Sequence, residues 1–324
     1  MSHFRSSFIV TVIGLGIAFW LGGFTALYIT ALLAILEVSL SFDNAVVNAK
    51  VLDTMEPKWQ ERFITVGLPI AIFGMRFLFP ILIVAIAGGM GMFETFNMAL
   101  HEPNEYKEIL EGIIKFIYAF GGAFLLMVFL DFFFDEDREE KWIEILEGNQ
   151  VVNKVGEIDN IELMIATAVG IYLTSVTGDY RIAVAYFSGM LLHSLIGSLD
   201  DLLSTDGVRS GIMGLIYLEI LDASFSFDGV IGAFALSTDI FIIMIGLGIG
   251  AMFVRSLTLY LVEKKTLTEY RYLEHGAHYA IIALAVIMFI EIFHEVDEIV
   301  TGSIGVAFIG LAFLHSIIEN KKGN

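Results

Sequence analysis

The chain has 324 residues, 57% of them hydrophobic, 13% aromatic and only 17% charged, against roughly 45–50% apolar usage in soluble domains. Its formal charge of −19 argues against a basic nucleic-acid-binding or polybasic lipid-binding face. The absence of cysteine excludes disulfides, thiolate metal sites, iron–sulfur clusters and a cysteine nucleophile.

An apolar run of about 18 residues or more can cross a hydrocarbon core about 30 Å thick. In chain order such runs fall near 7–22, 24–49, 63–89, 113–131, 161–177, 180–198, 211–236, 239–262, 276–293 and 300–318. Hydrocarbon cannot hydrogen-bond a backbone, and the runs lack the alternation of barrel strands, so the fold class is all-α: a polytopic helical membrane protein with about ten transmembrane helices. The first run keeps its place as a span because "FWLGGFTA" is a poor signal-cleavage site. The dense acidic stretch "DFFFDEDREEKWIEILE", 131–147, reads as a solvated loop with a short amphipathic helix.

Lys and Arg placement gives the orientation. With both termini cytoplasmic, thirteen basic residues lie on the inner side and three, Lys107, Lys115 and Arg181, on the other; Arg76 and Arg255 fall inside spans. The expected location is a bacterial-type inner membrane.

Two acidic phrases interrupt the apolar runs, "LEVSLSFDNAV" at 36–46 and "LDASFSFDGVI" at 221–231. They align without gaps at an offset of 185, matching Glu37 with Asp222, Ser39 with Ser224, Ser41 with Ser226, Phe42 with Phe227 and Asp43 with Asp228. The span after each phrase carries a single arginine, Arg76 or Arg255. The single membrane domain, 1–324, therefore divides into a three-helix repeat at 24–131, an acidic loop and two helices over 132–210, a second repeat at 211–293 and a final helix at 300–318. Five crossings separate the repeat starts, so the repeats are inverted, an arrangement common in secondary transporters.

A carboxylate at the bilayer centre costs about 2.5–3.5 kcal/mol on insertion scales. Glu37, Asp43, Glu219, Asp222 and Asp228 must therefore face one another, water or a cation. Helical spacing puts Glu37 and Ser41 on one face and lines up Glu219, Asp222 and Ser226 as an i, i+3, i+7 stripe. Serines compete for backbone hydrogen bonds, and Asn44 and Gly229 follow the aspartates, so each phrase is expected to break its helix and gather carboxylates at one oxygen-lined site. Oxygen donors favour hard divalent cations such as Mg²⁺, Ca²⁺ or Mn²⁺. The competing readings are buried ion pairs with Arg76 and Arg255, and a proton relay without metal. Weaker signals are His193, a packing residue on a predicted helix, and His275 and His278 at the start of a span. The stretch Glu291, His294, Glu295, Asp297 and Glu298 reads as a solvated loop.

These residues resemble the TerC family of integral membrane proteins, named for tellurium resistance and grouped with the LysE-type exporters. The family phrase "ELxLSxDN" is approximated by Glu37 to Asn44, and "ExxDxxFSxDS" by Glu219, Asp222, Phe225, Ser226 and Asp228. Gly229 stands where the family usually has Ser, and Gly232 where Pro is often found. The resemblance implies an exporter of divalent metal ions, Mn²⁺ first among them, with Glu37, Asp43, Asn44, Asp222 and Asp228 at the ion site and Ser41 and Ser226 as weaker ligands. No G-x-x-x-x-G-K-[ST] phosphate loop occurs, so transport would be secondary. An intramembrane metal-dependent enzyme is disfavoured by the absence of H-E-x-x-H and G-x-S-x-G, and no catalytic residue or cofactor is assigned. A non-transporting scaffold in metal or tellurite stress is the other alternative. The expected partners are the transported ion and the bilayer, with no nucleic acid; a homo-oligomer is compatible with the sequence.

Overall fold

The computed structural model describes residues 4–135, 140–203, 211–237, 239–296 and 298–322; within its helices, some side chains, including those of Phe42, Asp43 and Phe225–Gly229, also lie outside the described residues. Among the described residues there are helices and no strands. In order these are α1 (Arg5–Leu40), α2 (Phe42–Asp53), α3 (Pro57–Thr65), α4 (Gly67–Pro69), a π-helix π1 (Ile70–Leu78), α5 (Phe79–Gly88), α6 (Met92–His101), α7 (Pro103–Phe133), α8 (Glu144–Glu147) and α9 (Gln150–Gly156). Then follow α10 (Ile161–Thr177), α11 (Tyr180–Leu203), α12 (Gly211–Leu236), α13 (Ile240–Glu263), α14 (Thr266–Glu269), α15 (Leu273–Glu291) and α16 (Glu298–Lys322). Among the described residues, six helices are long and apolar enough to cross a membrane, and Ile72–Ile86 and Ile161–Thr177 are shorter apolar helices.

Two compact units result: one holds residues 1–114 and 204–264, the other 115–203 and 265–324. In the first, α1 is two arms. Gly23 sits at φ 65°, ψ −151°, a backbone conformation open essentially to glycine alone. The chain reverses there, and both arms pack on α13. On the first arm, the Ser7 hydroxyl donates to the Met252 carbonyl at 3.2 Å and lies 2.6 Å from Ser256 Oγ. On the second arm, Leu33 meets Gly246 and Glu37 meets Gly250. Val12, Trp20, Phe24 and Tyr28 stay exposed, as a lipid-facing surface requires. Val51, Leu52, Met55 and Phe63 form a buried cluster with Leu215 and Leu218 of α12.

In the second unit α15 packs on α16, with Gly276 against Ala312, and α10 on α11, where the Tyr186 hydroxyl donates to the Ala166 carbonyl at 2.7 Å. At the α10–α11 turn, Asp179 accepts from the Arg181 backbone N–H at 3.0 Å and from its guanidinium at 3.0 and 3.1 Å. The Arg181 side-chain and backbone hydrogen bonds hold the Asp179 carboxyl down to about 2.

Three elements differ from expectation. α7 begins ten residues before its predicted apolar run, because Pro103 at the first turn and Glu105 just after it suit a helix N-terminus and extend the helix through polar sequence. α6 lies over a stretch with no predicted span, opened by the Glu94 carboxylate accepting from the Gly91 N–H at 3.4 Å. The second acidic phrase does not break its helix: α12 runs unbroken from Gly211 to Leu236.

Candidate functional site

The first acidic phrase breaks where its serine falls. α1 stops at Leu40 and α2 starts at Phe42, with Ser41 at φ −104°, ψ 18° between them. The Ser41 N–H still reaches the Glu37 carbonyl at 3.0 Å, and its hydroxyl donates to Glu37 Oε1 at 2.9 Å. Arg76, carried by π1, pairs with that same Glu37 oxygen. Its other terminal nitrogen reaches Asp222 Oδ2 at 3.3 Å, and Asn44 Nδ2 donates to Asp222 Oδ1 at 2.8 Å. Glu37 and Asn44 of the first acidic phrase, Asp222 of the second phrase and Arg76 thus form one connected network. All four are at least 95% buried, and so is Ser41.

A second pair lies one turn earlier on α12. Glu219 Oε1 accepts from Arg255 Nη2 at 2.8 Å; Arg255 Nη1 also donates to the Phe63 carbonyl at 2.8 Å, and the guanidinium lies 4.2 Å from the Phe63 ring centroid. Glu219 Oε2 is buried without a hydrogen-bond partner among the described residues. Both acidic centres sit under a glycine: a Cβ on Gly67 would fall 2.6 Å from Glu219 Oε1, and one on Gly250 2.5 Å from Glu37 Cγ and 2.8 Å from the Ala34 carbonyl. At Gly250 close approach of a backbone carbonyl requires glycine, whereas a carbon added at Gly67 would displace the ends of the Glu219 and Arg255 side chains.

Of the eight site residues read from the sequence, Glu37, Ser41, Asn44 and Asp222 come together, and Glu219 stands one helical turn away. The side chains of Asp43, Ser226 and Asp228 lie outside the described residues. The matched serines Ser39 and Ser224 bond instead to their own helices, to the Ile35 and Ile220 carbonyls at 2.9 Å. Among the described groups of the cluster, three carboxylates face two guanidiniums, which leaves a formal charge of −1. Among the described residues, no three Asp, Glu, His or Cys side chains gather as a metal cage.

Elsewhere the sequence reading needs two corrections. Glu291, read as part of a solvated loop, ends helix α15 and is half-buried. Glu147, also read as part of a solvated loop, is 3% exposed. Its carboxylate accepts from the Trp142 and Ile143 N–H groups at 3.1 and 3.3 Å and from the Tyr279 hydroxyl at 3.0 Å, with His275 Nε2 at 3.3 Å. His275 also lies 2.9 Å from the Glu140 carbonyl, and His278 stacks on Phe132 at 3.8 Å. His193 is buried with Nε2 3.5 Å from Asp131 and its ring edge-on to Phe124. His294 and Glu295 are exposed, while Asp297 and the Glu298 side chain lie outside the described residues.

An all-α chain with several membrane-length apolar helices defines a multi-pass helical membrane protein. The family model described as "Protein of unknown function (DUF475)" matches residues 42–323, and the chain belongs to that family. Comparison with curated proteins and with solved structures returns no match.

Proposed function

We propose that this protein is a secondary transporter that moves divalent metal cations outward, with Mn²⁺ as the first substrate to test. It would work in a bacterial-type inner membrane with both termini cytoplasmic. The observation that supports this is the shared network of Glu37 and Asp222, which come from the two acidic phrases and join through Arg76. Burying such groups in a bilayer is costly, and a packed interior made only for stability is served as well or better by apolar residues. A pathway needs oxygen donors at that depth; Asp43 and Asp228 of the same phrases would complete the ligand set. The TerC-like phrases point the same way.

The test is metal flux into proteoliposomes for Mn²⁺, Mg²⁺, Ca²⁺ and Zn²⁺, with wild type and Asp43→Asn. Flux in wild type and its loss in Asp43→Asn is the expected result. Equal flux in both removes the site assignment, and no flux with any cation removes transport. One observation favours a second reading, a non-transporting scaffold: each described carboxylate of the cluster already has a guanidinium partner. Under that reading Asp43→Asn and Asp228→Asn leave cellular metal resistance unchanged.

A further inference from the structure

We infer that Arg76 is a built-in competitor for the ion, and that it sets a charge threshold admitting divalent but not monovalent cations. The inference rests on the transport reading above. The Arg76 guanidinium occupies the space between Glu37 and Asp222, where a cation would gain most. Ser41 donates to the same Glu37 oxygen that Arg76 holds, and Asn44 and Arg76 engage the two oxygens of Asp222. An ion that bridges Glu37 and Asp222 takes the place of the guanidinium.

Charge decides which ion can do so. With Arg76 in place, the described carboxylates Glu37, Asp222 and Glu219 and the guanidiniums Arg76 and Arg255 sum to −1. A monovalent cation in place of Arg76 leaves that sum unchanged and gains no more charge–charge attraction than the guanidinium it displaces. A divalent cation makes the sum one unit less negative, whatever Asp43 and Asp228 add, and its attraction to each carboxylate, twice that of a single charge at equal distance, is what offsets its dehydration. Arg76 therefore rejects monovalent ions by matching them.

The element that carries Arg76 is not a regular α-helix. Ile70–Leu78 is a π-helix, with the Phe79 N–H bonded to the Gly74 carbonyl five residues back. Such i→i+5 segments are rare and recur at functional sites. Pro69 and Pro80 flank it, and each removes a backbone donor that would otherwise favour one register. Relaxing one π turn to α shifts the segment by one residue, about 100° around the axis. That rotation would carry the guanidinium away from Glu37 and Asp222.

The experiment is equilibrium Mn²⁺ binding to the detergent-purified full chain, read from the electron paramagnetic resonance of the free aquo ion, with Na⁺ as competitor. Arg76→Gln is expected to bind Mn²⁺ at least about tenfold more tightly than wild type, because removing a competitor that occupies the site most of the time raises apparent affinity by that occupancy ratio. It is also expected to become sensitive to Na⁺, to which wild type is indifferent. Equal or weaker Mn²⁺ binding by Arg76→Gln, with measurable binding by wild type, overturns the inference and leaves the transport reading standing. Binding by neither protein removes both. Should Arg76→Gln fail to fold, Arg76→Lys carries the test: a single ammonium cannot hold two carboxylates in a fork, so tighter Mn²⁺ binding supports the inference and unchanged or weaker binding overturns it.

Discussion

Replacing Gly250 by alanine tests whether the Glu37 side of the site depends on helix contact. In an open helix interior the change is favourable, because alanine is better than glycine by about 0.8–1 kcal/mol. At Gly250 the added carbon would meet the Glu37 side chain and, at 2.8 Å, the Ala34 backbone carbonyl. A backbone atom cannot step aside, so α1 and α13 must part, and overpacking of this kind costs about 1–3 kcal/mol. The net result is about 0–2 kcal/mol of destabilisation once the propensity gain is subtracted. Gly16 is the control, since a Cβ there meets nothing within 4 Å. The propensity gain is common to both variants and cancels in their difference, leaving Gly250→Ala about 1–3 kcal/mol below Gly16→Ala. Equilibrium unfolding in mixed detergent measures that difference. Equal stabilities would refute the reasoning, and with it the claim that close approach of α13 seats Glu37.

Arg255→Leu strands Glu219 without a guanidinium and should cost about 3–5 kcal/mol, while the Arg255→Leu, Glu219→Leu double variant recovers most of the loss, as measured by a double-mutant cycle. Asn44→Leu deprives buried Asp222 of a donor and should cost about 1–3 kcal/mol in the same unfolding assay; a loss below 0.5 kcal/mol would mean that the hydrogen bond is dispensable. For Asp179, the folded carboxyl lies below its ordinary value of 3.8, so its contribution to stability is fully present above that value and is lost as pH falls through about 2. Carbon-13 titration of this carboxyl should show the low midpoint in wild type and a return toward 3.8 in Arg181→Gln; no change between the two would exclude Arg181 as the cause.

The readable parts of the fold are those set by local chemistry. Runs of apolar residues impose helices in a bilayer, and the two phrases mark the strongest internal repeat. The i, i+4 spacing of Glu37 and Ser41 became the hydrogen bond that closes the end of α1. The two phrases separate in behaviour at their serines. Ser224 bonds back to the Ile220 carbonyl within an intact helix, whereas Ser41 turns to a carboxylate at a break. Nothing in the residue types of the phrases foretells that difference, which is fixed by what each serine finds nearby. The distribution of partners was likewise beyond local reading. Both arginines were visible as lone charges inside spans, but Arg76 joins Glu37 and Asp222 across 39 and 146 residues of sequence. Glu147 was hidden for a different reason: it closes the charge-dense stretch 131–147, and its side-chain partners Tyr279 and His275 lie over a hundred residues away.

The reversal at Gly22–Gly23 bears on how the chain enters its membrane. The stretch from Ile17 to Tyr28 contains no charged residue, so the two arms of α1 can insert together as a pin without hauling a hydrated loop through oil. A lysine placed at Gly22 would give that tip a charge to drag, delaying integration of the pin at the translocon before any metal is handled.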